Sequence, residues 1–428
     1  MIIFYFFRFF TLFSIHFPHN KTQINKLSIY SFYICVNFLQ LFCYKTASGN
    51  TMKLKKLYIA TALSAISFST MAAGLDRSGQ SIAAFLQPGN YAEAGFHILD
   101  PNVKGTDNDG HSVSDMGTSY TFPTAAIKVQ ATDKISLGLL YDQPYGGDAA
   151  YEVDGSNFAD TVEGTKVKVR TNNLTALIGY QPTENWNVYA GPVWQTVEAD
   201  IALRGKAYSV LSGYDIDVKQ KEAYGWVAGV AYQIPEIALK ASLTYRSEIK
   251  HNAKAKESHP QLGSFDTELQ AITPQSVNLD FQTGIAPNTL AFTNVRWVHW
   301  DQFVVSPTTL GNTTEMFTGI RQDLISYSKD QWSITSGLGH KFNDKWSGTA
   351  LVAWDSGAGN PITILGPTKG YWAVGVGGQY SPAPDYFIQA GMKYFWLGDA
   401  HGQTGGTVKG EFNNNHALGY SVKIGYKF

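Results

Sequence analysis

Cysteine is nearly missing from this chain of 428 residues: there are two, Cys35 and Cys43. Both lie in residues 1–51, so nothing later can form a disulfide, supply a thiolate nucleophile or bind metal through sulfur. Charge is also scarce, at 16% of residues with a formal net charge of -1. A nucleic-acid partner would require a basic stripe, and the sequence has none. After residue 72 no apolar run approaches the ~20 residues of a membrane-spanning helix. The histidines, among them His97, His111, His251, His299, His340 and His416, are scattered without metal-ligand spacing. Asp107-Asn108-Asp109-Gly110 starts like a calcium loop but lacks the later ligands and reads as a turn. No Gly-x-Ser-x-Gly or phosphate loop stands in a convincing context. The expectation is a protein without catalytic residues, metal or cofactor, and not an enzyme.

What is present points to strands. Aromatics make up 14% of the chain and Gly numbers 41, a mix suited to many strands with aromatic girdles at a membrane interface. The last nine residues are the clearest case. Tyr420, Val422, Ile424, Tyr426 and Phe428 fall on one strand face, and Ser421, Lys423, Gly425 and Lys427 on the other. One face suits lipid and the other water, the pattern of a transmembrane β-barrel strand.

At Met52 a basic stretch, Lys53, Lys55 and Lys56, precedes the apolar run from Leu57 to Phe68 and the small residues Thr70 and Ala72. This is a secretory signal, residues 52–72, with cleavage after Ala72. Residues 1–51 ahead of it hold 10 of the 25 Phe and read as an upstream extension, with Met52 the true initiator. The rival reading makes residues 2–17 an anchor, but Arg8 and His16 interrupt it and it is too short to span.

The mature chain divides by its connections. Short turns fall at residues 132–134, 182–185, 234–236, 286–288, 343–345 and 381–385, several flanked by aromatic pairs such as Tyr180 and Trp186 or Phe342 and Trp346. Long polar connections fall at residues 101–119, 145–163, 205–222, 252–274, 306–330, 357–369 and 399–415. Seven long connections alternating with six short ones require fourteen strands, so residues 90–428 read as an all-β, fourteen-stranded antiparallel barrel in the bacterial outer membrane, crossing it many times. Residues 237–245 show the clearest division, with Ile237, Leu239, Ala241, Leu243 and Tyr245 toward lipid and Lys240, Ser242, Thr244 and Arg246 toward the lumen. Residues 73–89 read as a short hatch segment, in which Ser78 caps a helix presenting Ile82, Phe85 and Leu86 as a plug, or else as a disordered leader.

Several short stretches carry a resemblance. Leu243-Thr244-Tyr245-Arg246-Ser247-Glu248-Ile249-Lys250 is similar to the seventh strand of the outer-membrane long-chain fatty-acid transporter family (FadL, OmpP1, TodX), and Trp300-Asp301-Gln302-Phe303 to the end of its ninth. The Ala73-Gly74-Leu75 start, Asp100-Pro101-Asn102-Val103, Pro123 and Tyr371-Trp372 also fit. The resemblance implies a barrel closed by a hatch, with an interrupted third strand that opens the wall sideways. It implies passive uptake of hydrophobic compounds, foremost long-chain fatty acids, with lateral release. Here the family's Asn-Pro-Ala hatch motif is replaced by Gln87-Pro88-Gly89-Asn90 after a shorter segment.

On the residues themselves, Pro144 lacks a ladder donor and Gly146 and Gly147 favour irregular backbone, so these three mark the lateral opening or else simply begin a loop. Strand parity turns Arg246 and Lys240 into the lumen, and the resemblance implies a carboxylate-binding arginine near Arg204; with Arg296 these are the candidate carboxylate-binding cations, or else lumenal partners of acids such as Glu248 or Glu198. Leu211, Phe265 and Leu269 form either a surface docking groove or the core of the loops. Lipopolysaccharide, outer-membrane lipid and the barrel assembly machinery are the further expected partners. Competing readings are an aromatic-hydrocarbon channel, a barrel-embedded lipid hydrolase and a structural or adhesive barrel.

Overall fold

The computed structural model describes residues 75–428; the upstream extension (1–51) and signal peptide (52–72) lie outside the described residues. Period-two alternation gives each strand one face for lipid and one for the interior, and here it folds into a single closed wall. Among the described residues fourteen strands form it: β1 (Tyr91–Asn102), β2 (Tyr120–Gln130), β3 (Ile135–Asp142), β4 (Lys166–Tyr180), β5 (Trp186–Leu203), β6 (Tyr214–Ile234) and β7 (Leu239–Arg246). The second half comprises β8 (Ser276–Ala286), β9 (Thr289–Val298), β10 (Gln331–Lys341), β11 (Trp346–Asp355), β12 (Tyr371–Ala383), β13 (Tyr386–Leu397) and β14 (His416–Lys427). Each pairs antiparallel with the next. β14 returns to β1, with Val422 opposite Phe96, so the sheet closes on itself.

The faces divide as the alternation requires. Val422 is 53% exposed and its neighbour Ser421 only 6%. Outward aromatics ring both ends: Trp226, Trp332, Trp372 and Trp396 toward the long connections, Tyr180, Trp186, Phe342 and Trp346 at the short turns. On β13, Tyr386 and Trp396 mark the two rings. Their separation is about 34 Å along the strand, or roughly 26 Å across the membrane at ~40° tilt, matching the apolar band of such barrels. One boundary differs from expectation. Pro235–Ile237 is a 3-10 turn followed by Ala238 with φ 52, so Ile237 belongs to the turn and the strand begins at Leu239.

The long connections are far more ordered than their polarity suggests. Half of 205–222 is strand, since β6 begins at Tyr214, and nearly all of 252–274 lies within a hairpin of Ile249–His259 and Gly263–Thr273. This hairpin pairs through Ala255 and Ser258 with Val218 and Asp215 of β6. The β9–β10 connection holds helix α1 (Thr308–Thr318), and parts of four others share a small sheet or pack into one core containing Phe158, Tyr214, Leu269 and Phe412. Asp107, the start of the calcium-like stretch, is used inside its own turn and against a neighbouring loop. Burial works against its charge, yet N–H donors from His111, Asn157 and Asp109 outweigh it and hold the carboxyl below its ordinary range.

The hatch is not a helix. Phe85 N and Leu86 N both donate to Ile82 O, which gives a single turn, and Ser78 Oγ bonds Asp142 and accepts from Gln80 N instead of capping a helix. Ile82, Phe85 and Leu86 nevertheless pack together inside the barrel against Leu140, Leu177, Tyr189 and Val193. Two wall residues make room for the Phe85 ring. A Cβ on Gly138 would sit 2.5 Å from Phe85 Cδ2, and one on Gly179 2.9 Å from its Cζ. The hatch ends on two lumenal lysines, with Lys240 Nζ donating to Leu86 O and Lys128 Nζ to Gly89 O, both at 2.7 Å.

Candidate functional site

The wall is broken beside the hatch. β3 pairs with β2 only through residues 136–141, and residues 120–124 of β2, though bonded to β1, have no ladder partner on that side. After Asp142 the chain leaves the sheet for three residues, then resumes as Gly146–Ala150 against residues 166–170 of β4. Proline at 144 has no N–H to give. The polar groups freed by the break find other partners. Pro144 O accepts from Arg77 N (2.7 Å), Gly146 N donates to Leu75 O (2.7 Å), and Tyr145 N donates to Thr171 Oγ1 (2.9 Å). The hatch thus lies along the break as a short surrogate strand. Side chains at 146 or 147 would forbid this. A Cβ on Gly146 would come 2.7 Å from Arg77 Cζ, and one on Gly147 would come 3.0 Å from Leu75 Cδ2.

A buried polar layer fastens the hatch. Arg296, 3% exposed, donates to Asp76 (Nε to Oδ2, 2.7 Å), to Asn278 Oδ1 and to Gln80 Oε1. Arg246 Nη2 donates to Gln80 O at 2.8 Å, while its buried Nη1 has no partner. Asn278 Nδ2 donates to Gly79 O, and Ser276 Oγ and Tyr145 O–H reach Gln80 Oε1. Three strands, β7, β8 and β9, therefore hold three hatch residues, Asp76, Gly79 and Gln80, in register with the wall.

Above this layer lies a narrow apolar cavity, about 620 Å³ when the open solvent at its mouth is counted. Leu75 and Tyr145 line it next to the break, and Trp300, Phe303, Leu269 and Ile325 line it among the outer loops. No charged residue lines it among the described residues. Trp300 is fully buried, edge-on to Tyr145 at 5.5 Å and to Phe303 at 5.2 Å, with Nε1 donating to Gln331 Oε1. The Trp300-Asp301-Gln302-Phe303 stretch thus contributes two rings to the cavity.

The expected site residues fall in three places. Pro144, Gly146 and Gly147 stand at the break. Lys240, Arg246 and Arg296 face the lumen and hold the hatch, Arg296 through Asp76 and not through Glu248 or Glu198; Glu248 pairs with Lys250. Arg204 is outside the lumen layer, braced in the outer loops by Glu163 (2.6 Å) and Asp215 (2.7 Å) and by the carbonyls of Leu203 and Tyr214. Leu211 and Leu269 are buried in the loop core while Phe265 is exposed, so these three do not form one groove. Sequence reading passed over Asp76, Arg77, Gln80 and Tyr145; a charged pair in an otherwise apolar-and-small hatch was the available signal. It also could not group His299, Asp301 and Asp330, whose ligand-type atoms lie within 4.8 Å of one another at the outer end of β9.

A closed barrel with aromatic rings, an internal hatch and an apolar cavity beside a broken wall defines an outer-membrane channel for hydrophobic compounds. The family described as outer membrane protein transport protein (OMPP1/FadL/TodX) matches residues 71–428, and the chain belongs to it. No curated protein matches the sequence. Among solved structures, a Pseudomonas aeruginosa FadL homologue superposes with TM-score 0.65 at 15% identity, covering 81% of this chain and 92% of that one. The P. putida toluene transporter TodX gives 0.58 at 14%, covering 81% and 91%. The Ralstonia pickettii toluene transporter TbuX gives 0.57 at 13%, covering 85% and 97%. At these identities the likeness is one of fold.

Proposed function

We propose that this channel takes up long-chain fatty acids by passive diffusion, without covalent chemistry, and releases them sideways through the break at Pro144, Gly146 and Gly147. The carrying observation is the apolar cavity whose wall includes Leu75 and Tyr145, which stand at the break, where Leu75 O accepts from Gly146 N and Asp76 bridges Tyr145. Burying a methylene contributes about 0.8 kcal/mol, so an acyl chain draws its affinity from such a slot. Buried arginines beside the slot suit a carboxylate. Lipopolysaccharide and membrane lipid would surround the outward face, and the terminal strand would engage the assembly machinery. Neutral aromatic hydrocarbons are the second reading, favoured by the uncharged lining and by the toluene transporters among the solved relatives.

Trp300 supplies the test. A brominated stearate should quench its fluorescence in the purified protein, and Trp300→Phe should remove that component. Quenching by bromobenzene with none from the acid would shift the assignment to the second reading. Quenching by neither would discard the cavity as the binding site.

A further inference from the structure

We infer that the head-group partner of an acidic ligand is Arg77 of the hatch, and not one of the wall cations. This rests on the fatty-acid reading above and names the residue that would carry it. Four observations support it, each independent of the cavity's shape.

The wall cations are occupied. Arg296 is neutralised by Asp76, Arg204 by two carboxylates, and Lys240 and Lys128 are spent on hatch carbonyls. Arg246 retains one open nitrogen, but it has Asp142 as a charged neighbour and its other terminal nitrogen is spent on Gln80 O. Arg77 differs. It is 1% exposed, and its Nε and Nη2 have no hydrogen-bond partner. A buried guanidinium without a counter-ion is destabilising unless an anion joins it.

Its position is the second point. The Arg77 backbone is tied to Pro144 O, and its guanidinium carbon lies 3.6 Å over the ring of Tyr120, the first residue of the unpaired stretch of β2. It therefore sits across the break, two residues from Leu75, which lines the cavity. Third, Tyr120 adds another buried donor, its O–H being without a partner.

Fourth, the local charge is unbalanced. The charged neighbours of Arg77 are Arg170 and Asp148, which pair with each other at 2.9 Å. Asp76 beside it is paired with Arg296. Of the charges that act on Arg77, Arg170 and Asp148 cancel each other, so its guanidinium has no carboxylate of its own. A single carboxylate completes the set, accepting from Arg77 in the fork geometry that guanidinium offers. An acid moving from the cavity toward the break would be drawn by the head group while its chain stays in the slot.

The experiment compares stearate with stearyl alcohol, which has the same chain without the charge, in wild type, R77Q and R246Q. Folding of each barrel is checked by its heat-dependent shift on denaturing gels. Wild type should bind the acid at least tenfold more tightly than the alcohol, R77Q should bind the two alike with alcohol affinity unchanged, and R246Q should keep most of the preference. A preference retained in R77Q, or lost in R246Q instead, overturns the assignment and leaves the fatty-acid reading standing. Equal weakening of both ligands in R77Q also overturns it, making Arg77 a structural residue. If wild type itself shows no preference, the fatty-acid reading fails first.

Discussion

Single side chains decide how the hatch is held. Asp76 and Arg296 are a buried pair whose guanidinium also donates to Asn278 and Gln80. Removing one member leaves the other charge uncompensated, at a cost of about 3–5 kcal/mol. Asp76→Ala should therefore loosen residues 75–80 while the barrel stays folded. Amide hydrogen exchange should rise on the order of a hundredfold at the backbone of these residues, the factor that ~3 kcal/mol of local opening implies. Unchanged protection there would mean that the apolar packing of Ile82, Phe85 and Leu86 alone anchors the segment.

At the scale of elements, the outer cap illustrates how a loop becomes a folded unit. Helix α1 opens without a side-chain cap of its own. Glu257, from the hairpin strand Ile249–His259, is fully buried and accepts from Thr309 N (3.1 Å), Leu310 N (3.0 Å), Tyr214 O–H and Thr267 Oγ1. A carboxylate at a helix N-terminus satisfies free N–H groups and meets the positive end of the helix dipole. Glu257→Ala should destabilise this cap by about 1–2 kcal/mol or more, since it removes a cap and strands its donors. Limited proteolysis should then cut within residues 308–318, which wild type resists. The hairpin is also the reason that Leu269 is interior and Phe265 is not: both share a face, but Phe265 lies at the tip beyond the core.

For the whole molecule, stability depends on closure in a lipid solvent. Every strand must keep its apolar face outward, and a charge near the middle of that face costs about 2–4 kcal/mol. Val422→Arg, on the lipid face of β14 opposite Phe96, should lower the unfolding free energy measured by urea titration in phospholipid vesicles by an amount in this range. The neighbouring Lys423 shows what the interior accepts, since it pairs there with Glu93 at 3.1 Å. Equal stability of the variant would require β14 to sit off the lipid face.

The strand number, the closing pair and the division of faces could be read from the chain before folding, because each depends on period-two alternation and on turn residues acting within a few positions. Tyr420 to Phe428 identified the closing strand for that reason, and Leu243 and Arg246 were assigned to opposite faces correctly. Partnerships of charged residues could not be read in this way. Asp76 meets Arg296 across 220 positions, and Gln80 meets Arg246 across 166. Arg204 looked like a lumenal cation by its place after β5, yet loops folded over the barrel mouth brought two carboxylates to it. The sequence by itself determined the barrel, since lipid imposes a local rule on every strand. Only the tertiary structure decided which cation is left open at the break, because that depends on where the hatch lies and on which acids the other arginines have already taken.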